Sequence, residues 1–399
     1  MKRKAISFFI TIIFLVFLSS CHARTVEESP DIVAASNKFA VNFYREIESE
    51  NRSNIFFSPF SIVSAFGMAY EGAREKTSEE IQSVFLLPTN EKRLNGFLSL
   101  NNLLNEKKQN CTLKLASAYW LQENFNLLKT YTDIIKKYYQ AEAYNVDFLT
   151  KPEQSIDRIN EWAEEKTAGK IKKFLNYGSI DSNTRLILTN AVYFKGFWQT
   201  QFDKKLTTPD DFHIDKTRNI RVQMMQQCNK EFPYYEDENF QIVKIPYECK
   251  NLSMLILLPR KINSEIPKIP DYETLKTFYK ALVNQKLDLY LPKFKIEATY
   301  DLVKPLRNLG LKSAFNPMSA DFSGITGSRD LFISKAIQKS FVEVNEEGTE
   351  AAAVTGIVMR ITAARPDVKK IFKADHPFIF LIIEENTGLI VFAGKVVQP

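Results

Sequence analysis

Residues 252–258 are apolar almost without a break, and no other segment constrains the fold as much. A strand with that pattern is buried on both faces, so the chain must supply layers on either side of a sheet. Leu113, Leu115 and Ser117 alternate with Lys114 and Ala116, and residues 185–194 form a long β-rich run. Leu287, Leu289 and Leu291 alternate until Pro292 shifts the phase to Phe294 and Ile296, which predicts a bulge at the proline. Residues 378–383 and 389–392 flank Asn386-Thr387-Gly388 as a hairpin.

Helical signals come mostly earlier. Ile32, Phe39, Phe43 and Ile47 recur at helical spacing. Ser58-Pro59 reads as a capping hydroxyl followed by a first-turn proline, with Ile62, Ala65, Phe66, Ala69 and Tyr70 lining one face beyond it. Thr77 and Glu80 match a capping box leading into Ile81 and Val84. Ile156, Ile159, Trp162 and Ala163 form a stripe that stops near Gly169. Helices first and strands later point to an α+β fold rather than alternating βαβ units. No repeat or Gly/Ser/Pro-rich linker divides the chain, so residues 24–399 are expected to form one domain.

Composition excludes other classes. With 45% apolar and 25% charged residues the chain is neither disordered nor collagen-like. The net charge of +6 includes Lys2, Arg3 and Lys4 and no dense basic stripe follows, which argues against a nucleic-acid partner. Those basic residues open a segment with an apolar stretch over residues 5–18 and a short exit, Ser19-Ser20-Cys21-His22-Ala23. This is the pattern of a secretory signal peptide over residues 1–23. The run is too short for an ordinary membrane span, and none that follows is longer. Leu18-Ser19-Ser20-Cys21 also fits a lipobox, which would leave a lipid on Cys21. Sequons at Asn51, Asn110 and Asn251 agree with secretion and mark candidate glycan sites. Only Cys111, Cys228 and Cys249 remain after the signal, an odd number without a CxxC pair, so buried or free thiols are expected and no zinc site.

Catalytic patterns are missing. Past the signal only His213 and His376 are left, and there is no HExxH, GxSxG, Walker loop or GxGxxG. His376 stands before Pro377 and Phe378 in an apolar run, a structural setting. A non-enzyme without cofactor or metal is expected.

One segment is unusual. Residues 346–356 read Glu-Glu-Gly-Thr-Glu-Ala-Ala-Ala-Val-Thr-Gly. Gly348, Thr355 and Gly356 weaken a helix there. As a strand, Thr349, Ala351, Ala353 and Thr355 share one small, uncharged face, and Glu350, Ala352 and Val354 share the other. Such a segment suits two places, an exposed loop or a strand slid into a crowded sheet.

From about Asn37 to Pro399 the sequence resembles the serpins. The similarity is carried by Asn54-Ile55-Phe56-Phe57-Ser58-Pro59-Phe60-Ser61-Ile62, by Thr189-Asn190-Ala191-Val192-Tyr193-Phe194-Lys195-Gly196 with Trp198, and by Phe341-Val342-Glu343-Val344-Asn345-Glu346-Glu347-Gly348-Thr349. Ala374-Asp375-His376-Pro377-Phe378 and Phe392-Ala393-Gly394-Lys395-Val396 complete it. Gln338 departs from the family, which usually carries a histidine there.

The resemblance implies about nine helices around three β-sheets and an exposed reactive-centre loop at about residues 346–366. It implies a hinge of Glu346, Glu347, Gly348, Thr349, Glu350, Ala351, Ala352, Ala353, Val354 and Thr355. It also implies a shutter and breach containing Ser58, Asn190, Trp198, Lys293 and Gln338, with a Glu346–Lys293 pair. The implied activity is suicide inhibition of a serine protease, in which the cleaved loop inserts as a new strand. About 14 residues at roughly 3.3 Å each would span some 45 Å. Family spacing puts the scissile bond at Thr362–Ala363, suited to elastase-like pockets, whereas side-chain chemistry favours Arg360–Ile361, suited to trypsin-like ones. The hinge lacks bulky or charged inward residues, which favours an inhibitor over a non-inhibitory carrier or storage serpin. A monomer is expected; the sequence names neither the target nor any glycosaminoglycan activator.

Overall fold

The computed structural model describes residues 30–50, 52–89, 92–106, 110–249, 251–262, 268–349 and 370–399, and statements of absence below concern these residues alone. The helices are α1 (Pro30–Glu50), α2 (Pro59–Gly72), α3 (Glu75–Phe85), α4 (Lys92–Asn105), α5 (Lys129–Ile134), α6 (Pro152–Lys166), α7 (Tyr272–Ala281), α8 (Val303–Asn308) and α9 (Ser323–Thr326). The strands are β1 (Ile55–Phe57), β2 (Cys111–Gln122), β3 (Glu142–Val146), β4 (Leu186–Phe197), β5 (Thr208–His213), β6 (Asn219–Glu236), β7 (Phe240–Pro246) and β8 (Leu252–Pro259). Then follow β9 (Val283–Pro292), β10 (Phe294–Asp301), β11 (Ile333–Val344), β12 (Gly348–Thr349), β13 (Lys370–Lys373), β14 (Phe378–Glu384) and β15 (Leu389–Val396).

A six-stranded sheet in the order β10-β11-β12-β4-β2-β3 forms the centre. Successive side chains of a strand face opposite ways, so both faces of β4 need cover. Leu186, Leu188, Val192 and Phe194 enter the main core. Ile187 and Ala191 join a second cluster with Trp120 and with Ile159 and Trp162 of α6. The β-rich run is thus a strand buried on both sides.

The second network has nine strands in the order β1-β15-β14-β8-β7-β6-β9-β13, with β5 added on β6. Three sheets were expected, and the hydrogen bonding joins two of them. The 18-residue β6 carries β5 and β9 along most of its length and meets β7 only at Tyr234, Tyr235 and Glu236. One group, β5-β6-β9-β13, thereby runs into the other, β7-β8-β14-β15-β1. β8 lies in the middle, buried from Leu252 to Leu258. The expected hairpin is β14–β15, with a register shift between Ile382 and Ile383.

Three local expectations change. The phase shift at Pro292 is not a bulge: β9 ends there in the nine-stranded network and β10 starts at Phe294 in the six-stranded sheet. Thr77 and Glu80 do not form a capping box, since α3 starts after Arg74 without a side-chain cap. Thr77 Oγ1 accepts from the Asp321 amide at 3.0 Å, and Glu80 accepts from the Lys312 and Ser313 amides, each at 2.7 Å. Both side chains hold the segment after α8 instead. Finally, α2 has no exposed face over residues 59–69, because it lies inside the molecule against the six-stranded sheet and β15.

Candidate functional site

β4 and β11 run parallel at the middle of the six-stranded sheet, although most pairings around them are antiparallel. Their ladder extends from Ile333↔Leu186 to Phe341↔Tyr193. Across it, Gln338 pairs with Asn190, and both are fully buried. Gln338 Nε2 donates to Asn190 Oδ1 at 2.6 Å and to the Ser58 carbonyl at 3.1 Å, while its Oε1 accepts from the Ser58 amide at 2.9 Å. Asn190 Nδ2 donates to Ser61 Oγ at 2.5 Å and Ser117 Oγ at 2.8 Å. Ser58 Oγ caps α2 by accepting from the Ser61 amide and donates to the Val391 carbonyl at 2.8 Å. One amide side chain thus ties β11, β4 and the start of α2 together. The glutamine that departs from the family pattern has a partner for each of its polar atoms.

Above Phe341 the two strands diverge and the hinge enters. The chain leaves β11, turns at residues 345–347 and returns as β12, antiparallel to both neighbours. Thr349 pairs with Val344 on one side and Gly196 on the other, and Gly348 pairs with Phe197. A Cβ at Gly348 would stand 2.1 Å from the Gly196 carbonyl oxygen, so only glycine fits between the strands. Thr349 is fully buried, as its place on the small face of the segment required.

The turn is fastened by both its backbone and its carboxylates. The Glu347 carbonyl accepts from the Trp198 amide at 2.9 Å, and the Glu346 carbonyl from the Phe202 amide at 2.8 Å. The Trp198 indole donates to the Asn345 carbonyl at 3.0 Å. Lys293 lies one residue past the crossing between sheets and reaches Glu346 at 2.9 Å, and Thr207 donates to the same carboxylate. Burial pushes the Glu346 carboxyl up, but hydrogen bonds from Lys293, from its own backbone and from Thr207 outweigh it and hold it below its ordinary value. Lys204 pairs with Glu347 and its own pKa is raised by that hydrogen bond.

Sequence reasoning missed Lys204, Thr207, Tyr247 and the cysteine pair. Tyr247 stacks on Trp198 with centroids 4.6 Å apart, and its hydroxyl shares a 2.7 Å hydrogen bond with Thr349 Oγ1. Burial pushes that hydroxyl pKa up. Cys111 and Cys249 form a disulfide with Cα atoms 5.6 Å apart, which corrects the expectation of free thiols; Cys228 alone is free, and exposed. An odd cysteine count obscured the pair, and 138 residues separate its members. The two described sequons lie beside it. Asn110 and Asn251 are exposed and have φ of 63° and 82°.

His376 has both ring nitrogens engaged, Nδ1 with Asp375 at 2.8 Å and Nε2 with the Pro259 carbonyl at 2.6 Å. His213 approaches through its backbone, donating to the Asp375 carbonyl at 2.7 Å. Residues 1–23 with Cys21, Asn51, and the loop residues Glu350, Ala351, Ala352, Ala353, Val354, Thr355, Arg360, Ile361, Thr362 and Ala363 lie outside the described residues.

A large sheet with a parallel central seam, entered at one end by a glycine-rooted strand, defines a class: this chain belongs to the serpin family. The family described as Serpin (serine protease inhibitor) matches residues 34–399. The leukocyte elastase inhibitor of Equus caballus is 39% identical over 380 residues, covering 92% of this chain and 98% of that protein. The crystal structure of Serpin48, titled a highly specific serpin of the insect Tenebrio molitor, aligns with a TM-score of 0.81 at 33% identity, covering 92% and 98% of the two chains. Human thyroxine-binding globulin aligns with a TM-score of 0.85 at 31% identity, covering 94% and 99%.

Proposed function

We propose that this chain is a secreted inhibitor of serine endopeptidases, acting as a suicide substrate through insertion of its cleaved loop into the six-stranded sheet. The observation that carries the reading is β12. It already occupies the first two positions of an extra strand between β4 and β11. The residues that continue it, Glu350 to Thr355, keep small side chains on the face that Thr349 buries.

In this mechanism the protease serine attacks the carbonyl of Thr362, or of Arg360, and forms an ester. The peptide bond breaks and the amine of Ala363, or Ile361, leaves with a proton. The new strand then extends β12 downward, exchanging one parallel ladder for two antiparallel ones. Insertion releases a native state held as a kinetic trap and carries the protease away before water cleaves the ester. The leukocyte elastase inhibitor relatives agree with an elastase-like target cut at Thr362–Ala363; Arg360–Ile361 is the trypsin-like alternative. The basic and apolar start of the chain, with cleavage after Ala23, supports secretion, and Asn51, Asn110 and Asn251 are the candidate glycan sites.

The test is to mix the purified protein with an elastase-like and a trypsin-like protease, run denaturing gels and weigh the released C-terminal peptide. A gel-stable adduct with a peptide starting at Ala363 is expected. A peptide starting at Ile361 would keep the mechanism and move the target class. Cleavage without adduct by every protease would refute inhibition and favour a carrier, the role that the name of thyroxine-binding globulin gives that neighbour. Thr349→Arg separates the two readings, since it should abolish adduct formation and leave ligand binding in a carrier untouched.

A further inference from the structure

Gly196 lies at a crossing of contacts. One edge of its backbone pairs with Thr349 of the hinge and the other with Cys111 of β2. A Cβ there would stand 3.0 Å from Cys111 Sγ and 3.1 Å from the Tyr247 ring, so the disulfide and the tyrosine rest directly on the backbone that receives the hinge. Cys249 follows Tyr247 by two residues in the turn between β7 and β8. Cys111 opens β2 in the six-stranded sheet. The disulfide is therefore a covalent link between the two β-networks, placed at the pole where the hinge enters. The Tyr247 turn is further held by Glu248, whose amide donates to the Phe197 carbonyl at 2.7 Å.

We infer that Tyr247 and the Cys111–Cys249 disulfide form a redox-sensitive latch on the hinge. Tyr247 is the positioning residue: its ring packs on Trp198 and its hydroxyl holds Thr349, fixing β12 in its slot. The disulfide keeps the Tyr247 turn against β4. Cys249 is buried, whereas Cys111 is only partly buried, so Cys111 is the more accessible member of the pair for an external thiolate. Reduction by a dithiol breaks the S–S bond and gives two cysteine thiols, which take up two electrons and two protons. The dithiol closes into its own cyclic disulfide. The Tyr247 turn is then tethered only by hydrogen bonds and stacking, and the hinge spends more time out of the sheet. The functional consequence rests on the insertion reading above: a hinge that has left its slot must nucleate the new strand again after cleavage, and more acyl-enzyme is hydrolysed meanwhile.

The experiment uses the full mature chain with Cys228→Ser, so that the third thiol cannot exchange. Hydrogen–deuterium exchange at residues 345–349 is followed with the disulfide intact, after dithiothreitol, and in Cys249→Ser. Tyr247→Phe, which keeps the ring and loses the hydroxyl, is the variant that leaves the fold in place. Hinge exchange is expected to rise about tenfold on reduction and about threefold in Tyr247→Phe, with β8 amides unchanged. The number of inhibitor molecules consumed per protease trapped should rise about twofold while the rate of encounter stays constant, a split that a merely structural role would not give. Equal hinge exchange in oxidised, reduced and Tyr247→Phe protein would overturn the latch, even if stable adducts form. Responsive hinge exchange without an adduct from any protease would leave the latch standing and remove the inhibitory reading instead.

Discussion

Replacing Gln338 by leucine tests the account of the central seam most directly. Leucine keeps most of the volume and removes every polar atom. Three hydrogen bonds are lost, one to Asn190 and two to Ser58. The Ser58 carbonyl still accepts from the Ile62 amide at 3.2 Å. The Ser58 amide and Asn190 Oδ1 keep no partner, and both residues are fully buried. A buried polar group without a partner costs about 1–3 kcal/mol, so Gln338→Leu should cost about 2–6 kcal/mol in total. The assay is urea unfolding followed by tryptophan fluorescence, with Trp120 and Trp162 in one core cluster and Trp198 in the other. Because the bond to Asn190 crosses the seam that must open, conversion to a loop-inserted monomer on warming should also speed up. A loss below about 1 kcal/mol with an unchanged conversion rate would mean that the network does not hold the seam closed. The histidine variant sharpens the test. A neutral imidazole offers one donor and one acceptor, so Gln338→His should restore part of the loss. Buried neutral, it would have a lowered folded-state pKa, and its contribution would be complete above the unfolded value of about 6.5 and lost as pH falls from there to the lower folded one, a dependence that glutamine cannot show.

Gly348→Ala should expel β12 from the sheet, because the new Cβ meets backbone atoms of Gly196 and Phe197 that have no room to shift; hinge exchange should rise at least tenfold with the rest of the fold intact, and unchanged protection would contradict the close approach. Glu346→Lys puts a second cation against Lys293 and should produce polymers on size-exclusion chromatography at mild heating, whereas a monomeric, fully inhibitory variant would argue against the pair as a lock on the hinge. The depressed Glu346 pKa fixes a sign: its stabilisation is complete above the unfolded value of 4.5 and is lost as pH falls through the lower folded one, so hinge exchange, corrected for intrinsic rates, should rise only below about 4.5. A Glu346→Gln variant should show no such step.

Much of the seam could be read in the sequence because its residues sit in unbroken local runs. The β-rich run in residues 185–194 gives β4, the apolar run in 252–258 gives β8, and the Ser58-Pro59 pair gives the start of α2. What failed were signals with two physical meanings. Thr77 and Glu80 have capping-box spacing, yet the same hydroxyl and carboxylate serve equally well as acceptors for the amides of Asp321, Lys312 and Ser313. Pro292 ends a strand whether the chain then bulges or changes sheets, and only the partner strands decide. Tyr247 and the cysteine pair are long-range facts. Nothing within a few residues of Cys111 or Cys249 reports that their Cα atoms come within 5.6 Å of each other. Glu346 and Lys293 could be paired beforehand only through the family resemblance, since 53 residues separate them, two strands of the six-stranded sheet among them.

The parallel seam also has a consequence for the birth of the protein. Asn190 and Gln338 are 148 residues apart, and most of the chain between them, with β5 to β9, builds the nine-stranded network. At about 5–20 residues per second, the open edge of β4 waits roughly 7–30 s on the ribosome before β11 emerges to cover it. During that interval β4, paired with β2 on its other side, presents a long open edge, the kind of surface that recruits a neighbouring chain. The gap that lets the finished protein accept a strand is thus also the site where the unfinished one most needs protection.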